Sequence, residues 1–277
     1  GTVMYQILGP LNDWEREQPY AKYYHRPSVP PDPHRIALLD KGPMDPAKAT
    51  PLSDINSLLT RLEAPDDEIG YCVLPDGVGY VGMSAFYPSC TVEMFKWWFA
   101  WHPLNNLRYR IWCPRCHGGI AVSASDRARL LDPGVPLEDK IAGVDHFVME
   151  DIGGGMSDIV IRFLKPEDMG FDPRVLERSG VTVIGGYGLT EPREGPAGKV
   201  PAVMLHLFHA ENGGVRQRTR FYMGCRVNKG VPMKVLPHGV QVPIEAPMGL
   251  AYHNVEEFTN LGSFLPEIYA ELGPGVQ

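Results

Sequence analysis

"AYHNVEEFTNLGSFLPEIYAELG", residues 251–273, predicts a long amphipathic helix at the end of the chain. Apolar residues recur in it at three- and four-residue steps, the spacing of one helix face: Val255, Phe258, Leu261, Leu265 and Ile268. Pro266 is expected to bend this helix without ending it. A helix with one apolar face needs a second layer to pack against, and the preceding sequence contains candidates for that layer.

Three segments upstream of this helix predict β-hairpins, because strand-like residues flank turn residues in each. The turns are Pro75-Asp76-Gly77 in residues 69–86, Gly153-Gly154-Gly155 in residues 143–164, and Asn212-Gly213-Gly214 in residues 202–227. Residues 181–188 predict a further short strand, and residues 90–103 a helix with Thr91 as its N-cap. Hairpins followed by a terminal helix indicate an α+β fold, in which an antiparallel sheet packs on a helix.

Residues 1–67 differ in composition from residues 68–277, which we take as the main domain. Nine of the 27 prolines fall in the first 51 residues, and proline disfavours long helices and strands. We therefore predict an ordered, mostly extended arm that packs on the main domain or on a partner subunit. Its one clear helix is expected near residues 50–68, where apolar residues have helical spacing: Ile55, Leu58, Leu59 and Leu62.

Composition excludes several classes of protein. The 277 residues carry a formal net charge of −7, which argues against nucleic acid or an anionic membrane surface as the main partner. No apolar run approaches the roughly 20 residues of a membrane-spanning helix. No secretory signal is visible at the N-terminus, and the odd count of five cysteines predicts reduced thiols in a cytoplasm.

The segment "RYRIWCPRCHGG", residues 108–119, contains the pattern C-x-x-C-H. That pattern occurs at c-type haem attachment sites and in part of a zinc-finger ligand set. Without an export signal or a second ligand pair, neither is favoured, and we interpret Cys113 and Cys116 as small buried residues. The basic run in residues 215–221 is interpreted as a solvated or salt-bridged strand face, with substrate binding by an arginine as the lesser alternative.

A candidate metal site begins on the terminal helix. His253 and Glu257 are four residues apart, so their side chains lie one turn apart on the same helix face. Such a pair needs ligands from elsewhere in the chain. We consider His117, which follows an apparent strand, and Glu150, near the end of another strand, where His146 and Asp151 are competing neighbours.

Two long motifs and this pair together resemble a known family. They are "TVEMFKWWFAWHPLNNLRYRIWCPRCH" (residues 91–117) and "ENGGVRQRTRFYMG" (residues 211–224), followed by the C-terminal H-x-x-x-E. In this order they are similar to the diacetylphloroglucinol hydrolase family, which includes phloretin hydrolases. The resemblance implies a zinc enzyme that hydrolyses the carbon–carbon bond between an acyl group and a polyhydroxylated, phloroglucinol-type ring.

The resemblance also implies a structure and a set of site residues. The fold would be Bet v 1-like, a curved antiparallel sheet around a long C-terminal helix, with a small N-terminal domain that takes part in the contacts of a homodimer. The metal would be bound by His117, Glu150, His253 and Glu257. Substrate contacts and proton delivery would fall to Tyr109, His206 and Tyr222, with His209 as the alternative to His206. Gly118-Gly119-Ile120 offers no polar side chain where the family has one, which leaves the substrate contacts of this strand open.

Hydrolysis of an aryl ketone is difficult because an aryl carbanion is a poor leaving group. A polyhydroxylated ring avoids this if it first takes a proton on the acylated carbon, so that an enolate leaves instead. A bound metal would polarise the acyl carbonyl and activate water. Two other hypotheses use the same cavity: a non-hydrolytic isomerase or cyclase of a polyketide-like substrate, and a protein that only binds hydrophobic ligands.

Overall fold

The computed structural model describes residues 9–193 and 200–275. Within them, eight strands form one antiparallel sheet and two more form a separate hairpin. The strands are β1 Gly70–Val73, β2 Gly79–Tyr87, β3 His117–Ala121, β4 Asp145–Asp151, β5 Met156–Leu164, β6 Thr182–Pro192, β7 Val200–Glu211, β8 Gly214–Met223, β9 Cys225–Asn228 and β10 Val231–Lys234.

Nine α-helices and several 3₁₀ turns accompany these strands in the described residues. The α-helices are α1 Asp13–Arg16, α2 Ala21–His25, α3 Pro33–Leu39, α4 Val92–Trp101, α5 Asn106–Arg110, α6 Ala124–Leu131, α7 Leu137–Ile141, α8 Pro173–Ser179 and α9 Glu245–Leu272. The 3₁₀ turns are Pro46–Lys48, Leu52–Leu59, Pro65–Glu68, His102–Leu104 and Pro166–Met169. None of the helices in the described part of the chain is long and apolar enough to cross a membrane.

The large sheet has the order β1-β2-β8-β7-β6-β5-β4-β3, so strands adjacent in sequence are mostly adjacent in space. All three predicted hairpins are confirmed: β1–β2, β4–β5 and β7–β8 pair antiparallel around the predicted turns. In the last of them, Asn212 and Gly213 both have positive φ, as a two-residue hairpin turn requires. The short strand predicted over residues 181–188 is an 11-residue strand, β6.

The terminal helix α9 packs along one face of this sheet. It begins at Glu245, six positions before the predicted start, and it contains Pro266. Its buried side chains meet the sheet in two clusters: Phe258 and Leu261 pack with Phe208, while Val255 packs with Val81 and Phe221. The predicted α+β layout, an antiparallel sheet on a long C-terminal helix, is therefore confirmed, and it is the layout expected of a Bet v 1-like fold.

The N-terminal segment differs from the extended arm predicted from its prolines. The described residues before β1 contain three short α-helices, and the helix predicted near residues 50–68 is a 3₁₀ segment, Leu52–Leu59, interrupted at Asp54. Leu62 lies beyond that segment and is 75% exposed. Proline at the first turn explains α3, because Pro33 starts this helix at a position where its missing N–H costs nothing.

This segment nevertheless packs on the main part of the chain. The ring of Tyr20 lies 5.0 Å from that of Trp101, and the ring of Tyr23 lies 5.2 Å from that of Phe264 in α9. On the sheet face opposite α9, the 3₁₀ segment Leu52–Leu59 covers a second apolar cluster that includes Leu205. The division of the chain at residue 67 stays a prediction.

The basic run in β8 is salt-bridged but not solvated. Arg218 and Arg220 are buried, and both donate to Oε1 of Glu68, at 2.7 and 2.6 Å. A buried arginine is tolerated when its charge is paired in this way. These two arginines therefore stabilise the packing of the N-terminal segment against the sheet face away from α9.

Candidate metal site

The candidate site begins at one edge of the sheet, where β3 pairs with β4. His117, the first residue of β3, lies opposite Glu150. The register shifts between His117 and Gly119, which is a β-bulge. A bulge changes the direction of the side chains beside it. Here the bulged end of the strand places the buried imidazole of His117 next to the buried carboxylate of Glu150.

The other half of the site comes from α9. His253 and Glu257 are on its buried face, and the indole Nε1 of Trp112 donates to the backbone oxygen of Glu257 at 3.0 Å. The turn of the β4–β5 hairpin lies against the start of the helix. Gly153 has φ +112°, and a Cβ on it would be 2.6 Å from Cα of Gly249. Only glycine fits this contact, which brings the end of β4 close to the helix.

Four ligand atoms meet between strand and helix. The Nε2 atom of His117 is 3.1 Å from Oε2 of Glu150 and 3.0 Å from Oε2 of Glu257. The Nε2 atom of His253 is 3.3 Å and 3.0 Å from the same two oxygens. All four potential ligand atoms lie within 4.8 Å of one another, and all four residues are buried. The structure thus brings together the four residues for which metal binding was predicted.

The electrostatics of this cluster favour a positive charge between the carboxylates. Burial alone would raise the pKa of the Glu150 carboxyl, but hydrogen bonds and charge from His117 and His253 outweigh it and lower that pKa. Burial alone would lower the pKa of His253, and the negative charge of Glu257 outweighs it, so this pKa is raised well above its usual value. The negative charge of two buried carboxylates must therefore be balanced, either by protons on the two histidines or by a cation bound instead of those protons.

Tyr109 supports the cluster from behind. Its ring stacks on the imidazole of His117, with centroids 3.9 Å apart and planes 4° apart. Its hydroxyl donates to Oε2 of Glu150 at 2.8 Å, and its backbone oxygen accepts from Nδ1 of His117 at 3.0 Å. A proton on Nδ1 leaves Nε2 free to bind a metal, and such an outer hydrogen bond is usual for metal-binding histidines. Burial and the charge of Glu150 raise the pKa of the Tyr109 phenol, so this hydroxyl stays a donor.

An apolar cavity adjoins Glu150 between the sheet and the first half of α9. Aliphatic and aromatic side chains form most of its wall, and Glu150 and Thr190 are its polar groups. Its lining consists of Glu150, Ile152, Ile159, Ile161, Gly188, Thr190, Val200, Ala202, Met204, Phe221, Met223 and Leu250. A mostly apolar cavity with a few polar groups at one end is the usual form of a small-molecule site.

The later hairpin brings His206 to this side of the sheet but not Tyr222. His206 faces α9, and its ring lies 5.1 Å from that of Phe258. Side chains alternate along a strand, so Phe221 lines the cavity and Tyr222 points to the opposite face. There the hydroxyl of Tyr222 donates to the backbone oxygen of Thr50 at 2.7 Å. This placement corrects the expectation that Tyr222 contacts substrate.

The same alternation separates His209 from His206, since His209 borders a surface cleft on the face away from α9. The two competitors of Glu150 are also placed elsewhere. Asp151 accepts from the backbone N–H groups of Gly153 and Gly155 in the hairpin turn. His146 faces α9, but its ring packs 4.3 Å from that of Phe163, away from the four ligand atoms.

The cysteines of the C-x-x-C-H pattern are joined as a disulfide, Cys113–Cys116, which corrects the expectation of reduced thiols at these two positions. The backbone oxygen of Cys113 accepts from the backbone N–H of His117 at 2.8 Å. The disulfide thus closes the turn that leads into β3. The remaining cysteines, Cys72, Cys90 and Cys225, are free and buried.

Sequence reasoning missed three polar residues beside His206: Tyr87, Gln217 and Thr219. They form a buried hydrogen-bonded group with it. Alternation along β8 was a usable signal, because Gln217, Thr219 and Phe221 are two residues apart and must share a face.

The fold is an antiparallel sheet on a terminal helix, and two histidines and two glutamates that could hold a metal ion converge beside an apolar cavity. This arrangement is that of an enzyme for an apolar small molecule. The comparisons with known proteins agree with this class. The family model described as "DAPG hydrolase PhiG domain" matches residues 50–270, and the chain belongs to this family.

Curated relatives match nearly the whole chain. It is 36% identical over 266 residues to phloretin hydrolase from Eubacterium ramulus, and the aligned region covers 93% of this chain and 91% of that relative. It is 29% identical over 274 residues to 2,4-diacetylphloroglucinol hydrolase from a Pseudomonas species, with 93% and 90% covered. Among solved structures, it is similar to Ara h 8.0201 with a TM-score of 0.41 and 9% identity, over 69% of this chain and 99% of that one.

Proposed function

We propose that this protein is a zinc-dependent hydrolase that cleaves the carbon–carbon bond between an acyl group and a polyhydroxylated aromatic ring. The observation that carries the proposal is the convergence of His117, Glu150, His253 and Glu257 beside an apolar cavity, in a chain 36% identical to a phloretin hydrolase. Water would add its hydroxyl to the acyl carbon and a proton to the ring carbon, which releases a carboxylic acid and the free phenol.

The four side chains fit a divalent cation. Two imidazole nitrogens and two carboxylate oxygens are a donor set that zinc accepts, and together they compensate its double charge. The Nδ1 hydrogen bond of His117 leaves its Nε2 as the donor atom, which also suits a metal. When bound, the cation supplies Lewis acidity and lowers the pKa of coordinated water to about 7.

The chain's own residues position the substrate and its protons. The apolar walls of the cavity next to Glu150 offer a packing surface for a flat, apolar substrate. The Tyr109 hydroxyl donates to Glu150 and so holds this carboxylate beside the cavity. Contact of this hydroxyl with a phenolic oxygen of the substrate stays a prediction. His206 faces the same side of the sheet and is uncharged, because burial lowers its pKa to about 4.

A pair of neighbouring glutamates on α9 tests this function. Glu257→Gln removes a ligand oxygen, whereas Glu256→Gln changes only a residue that pairs with Arg115 away from the four ligand atoms. Each purified variant is analysed for bound metal and incubated with phloretin and with a diacylphloroglucinol, and the released acid is measured by mass spectrometry. We expect Glu256→Gln to retain zinc and activity and Glu257→Gln to lose both.

Two results contradict the proposal. A wild-type protein that is metal-free yet fully active excludes the metal-dependent mechanism. A zinc-loaded wild type that releases no acid from either acylphenol favours an isomerase, a cyclase or a binding protein instead. A homodimer, a cytoplasmic location and the absence of nucleic-acid and membrane partners stay predictions, to be checked by the mass in solution and by fractionation.

A further inference from the structure

A buried chain of hydrogen bonds extends from β2 through β8 to His206 on β7. The hydroxyl of Tyr87 donates to Oε1 of Gln217 at 2.7 Å. The amide nitrogen of Gln217 lies 3.1 Å from Oγ1 of Thr219 and 3.3 Å from Nδ1 of His206. Thr219 Oγ1 is 2.8 Å from the same Nδ1. All four side chains are buried, with relative exposures of 6% or less.

The direction of these bonds follows from the donor at the start. The buried phenol of Tyr87 donates to the amide oxygen of Gln217, and the amide nitrogen of Gln217 therefore faces Thr219 and His206. Thr219 Oγ1 accepts one of these N–H groups, so its own hydrogen is free to be donated to His206. Nδ1 of His206 is thus surrounded by donors and must itself be the acceptor.

We propose that Tyr87, Gln217 and Thr219 are positioning residues that hold His206 as the neutral tautomer with its proton on Nε2. In the opposite tautomer, a proton on Nδ1 would face the amide N–H of Gln217, and two buried donors would oppose each other. The low pKa of His206, about 4 because of burial, agrees with a neutral ring.

This tautomer defines what His206 contributes to the proposed function, on which the inference rests. Nε2 has no hydrogen-bond partner among the described residues, and the ring lies 5.9 Å from that of Phe221, which lines the cavity. A neutral imidazole that lost its Nε2 proton would become an anion, which is unfavourable near neutral pH. His206 is therefore a hydrogen-bond donor to a phenolic or carbonyl oxygen of the substrate, and it does not transfer its proton.

Two residues of the chain offer clean substitutions. Thr219→Val removes the hydroxyl with little change in volume, and Thr219→Ser restores it, which makes the serine variant the matched rescue. Gln217→Glu replaces the donor by a carboxylate that accepts, so we expect Nδ1 of His206 to become protonated. Removal of one fixed donor to a developing charge typically lowers kcat by about 10²-fold or more. We expect losses of this order for Gln217→Glu, a smaller loss for Thr219→Val, and recovery in Thr219→Ser.

The direct measurement is the tautomer itself, from ¹⁵N NMR spectra of protein with labelled histidines, with His206→Gln used to assign the signal. The expected wild-type spectrum has an unprotonated Nδ1 and a protonated Nε2 at pH 7. A protonated Nδ1 in the wild type overturns the inference, and so does full kcat in both Thr219→Val and Gln217→Glu with the native tautomer retained. The spectrum needs no turnover: if the tautomer is as expected but no acylphenol is hydrolysed, the proposed function fails while the assignment of the tautomer stands.

Discussion

Tyr109→Phe removes one hydroxyl from behind the candidate metal site and leaves the rest of the side chain. The phenyl ring still stacks on His117, where the two rings now lie 3.9 Å apart. The lost contact is the 2.8 Å hydrogen bond to Oε2 of Glu150. We expect weaker zinc binding, because Glu150 loses a donor that orients it and because its charge is less stabilised in the absence of that donor.

The size of the effect can be estimated in two independent ways. A hydrogen bond to a charged group contributes about 1.5–3 kcal/mol. Loss of an outer partner of a metal ligand typically costs about 10–100-fold in metal affinity, which corresponds to about 1.4–2.7 kcal/mol. The two ranges agree, so we expect the dissociation constant for zinc to rise by about one to two orders of magnitude.

The assay is a competition titration of metal-free protein with zinc against a fluorescent chelator of known affinity. Tyr252→Phe is the matched control, since this hydroxyl also donates to a carboxylate, Asp40 at 2.6 Å, but at the exposed surface. Its zinc affinity should equal that of the wild type. An unchanged zinc affinity in Tyr109→Phe, with circular dichroism showing a folded protein, would refute the supporting role that we assign to the hydroxyl.

Two further outcomes follow from the site. Joint replacement of Cys113 and Cys116 by serine should leave the zinc content unchanged, because the backbone bond that positions His117 is retained, whereas His117→Ala should lose zinc; elemental analysis of both variants decides this. Burial lowers the pKa of His102 to about 3 and that of His206 to about 4. Both histidines stay neutral in the folded state, whereas the same histidines in the unfolded chain bind protons below about pH 6.5. The free energy of unfolding should therefore fall between pH 6.5 and pH 4.5, by up to about 1.4 kcal/mol per pH unit for each of the two histidines. Urea unfolding at the two pH values should show a smaller fall in His206→Gln, and equal falls in this variant and the wild type would contradict the reasoning.

Local patterns in the sequence were sufficient to predict much of the fold. The helical spacing from Val255 to Ile268 indicated α9, and turn residues such as Asn212-Gly213 marked the hairpins, because both signals depend on neighbours in sequence. The prediction of an extended N-terminal segment from its prolines was wrong, since Pro33 starts the helix α3 that it was expected to prevent. A short helix has too few residues for a clear periodic signal.

The candidate site was predicted less directly. The spacing of His253 and Glu257 is visible in the sequence, whereas His117 and Glu150 entered mainly through the resemblance to a family. Their pairing depends on a register shift in β3, and a bulge leaves no clear trace in composition. Position 222 shows the same limit, because an error of one residue along β8 moves a side chain to the other face of the sheet.

The metal site and the fold stabilise each other at the edge of the sheet. β3 has five residues and pairs only with β4 in the described sheet, so few backbone bonds hold it. Its first residue, His117, meets Glu257 of α9, and the Tyr109 ring stacks on that imidazole. A cation at this point would connect the edge strand β3 to α9. Its binding would stabilise the folded state and not the unfolded chain, because the unfolded chain does not assemble the four ligands. Metal affinity and the stability of this edge should therefore change together in any variant that displaces β3.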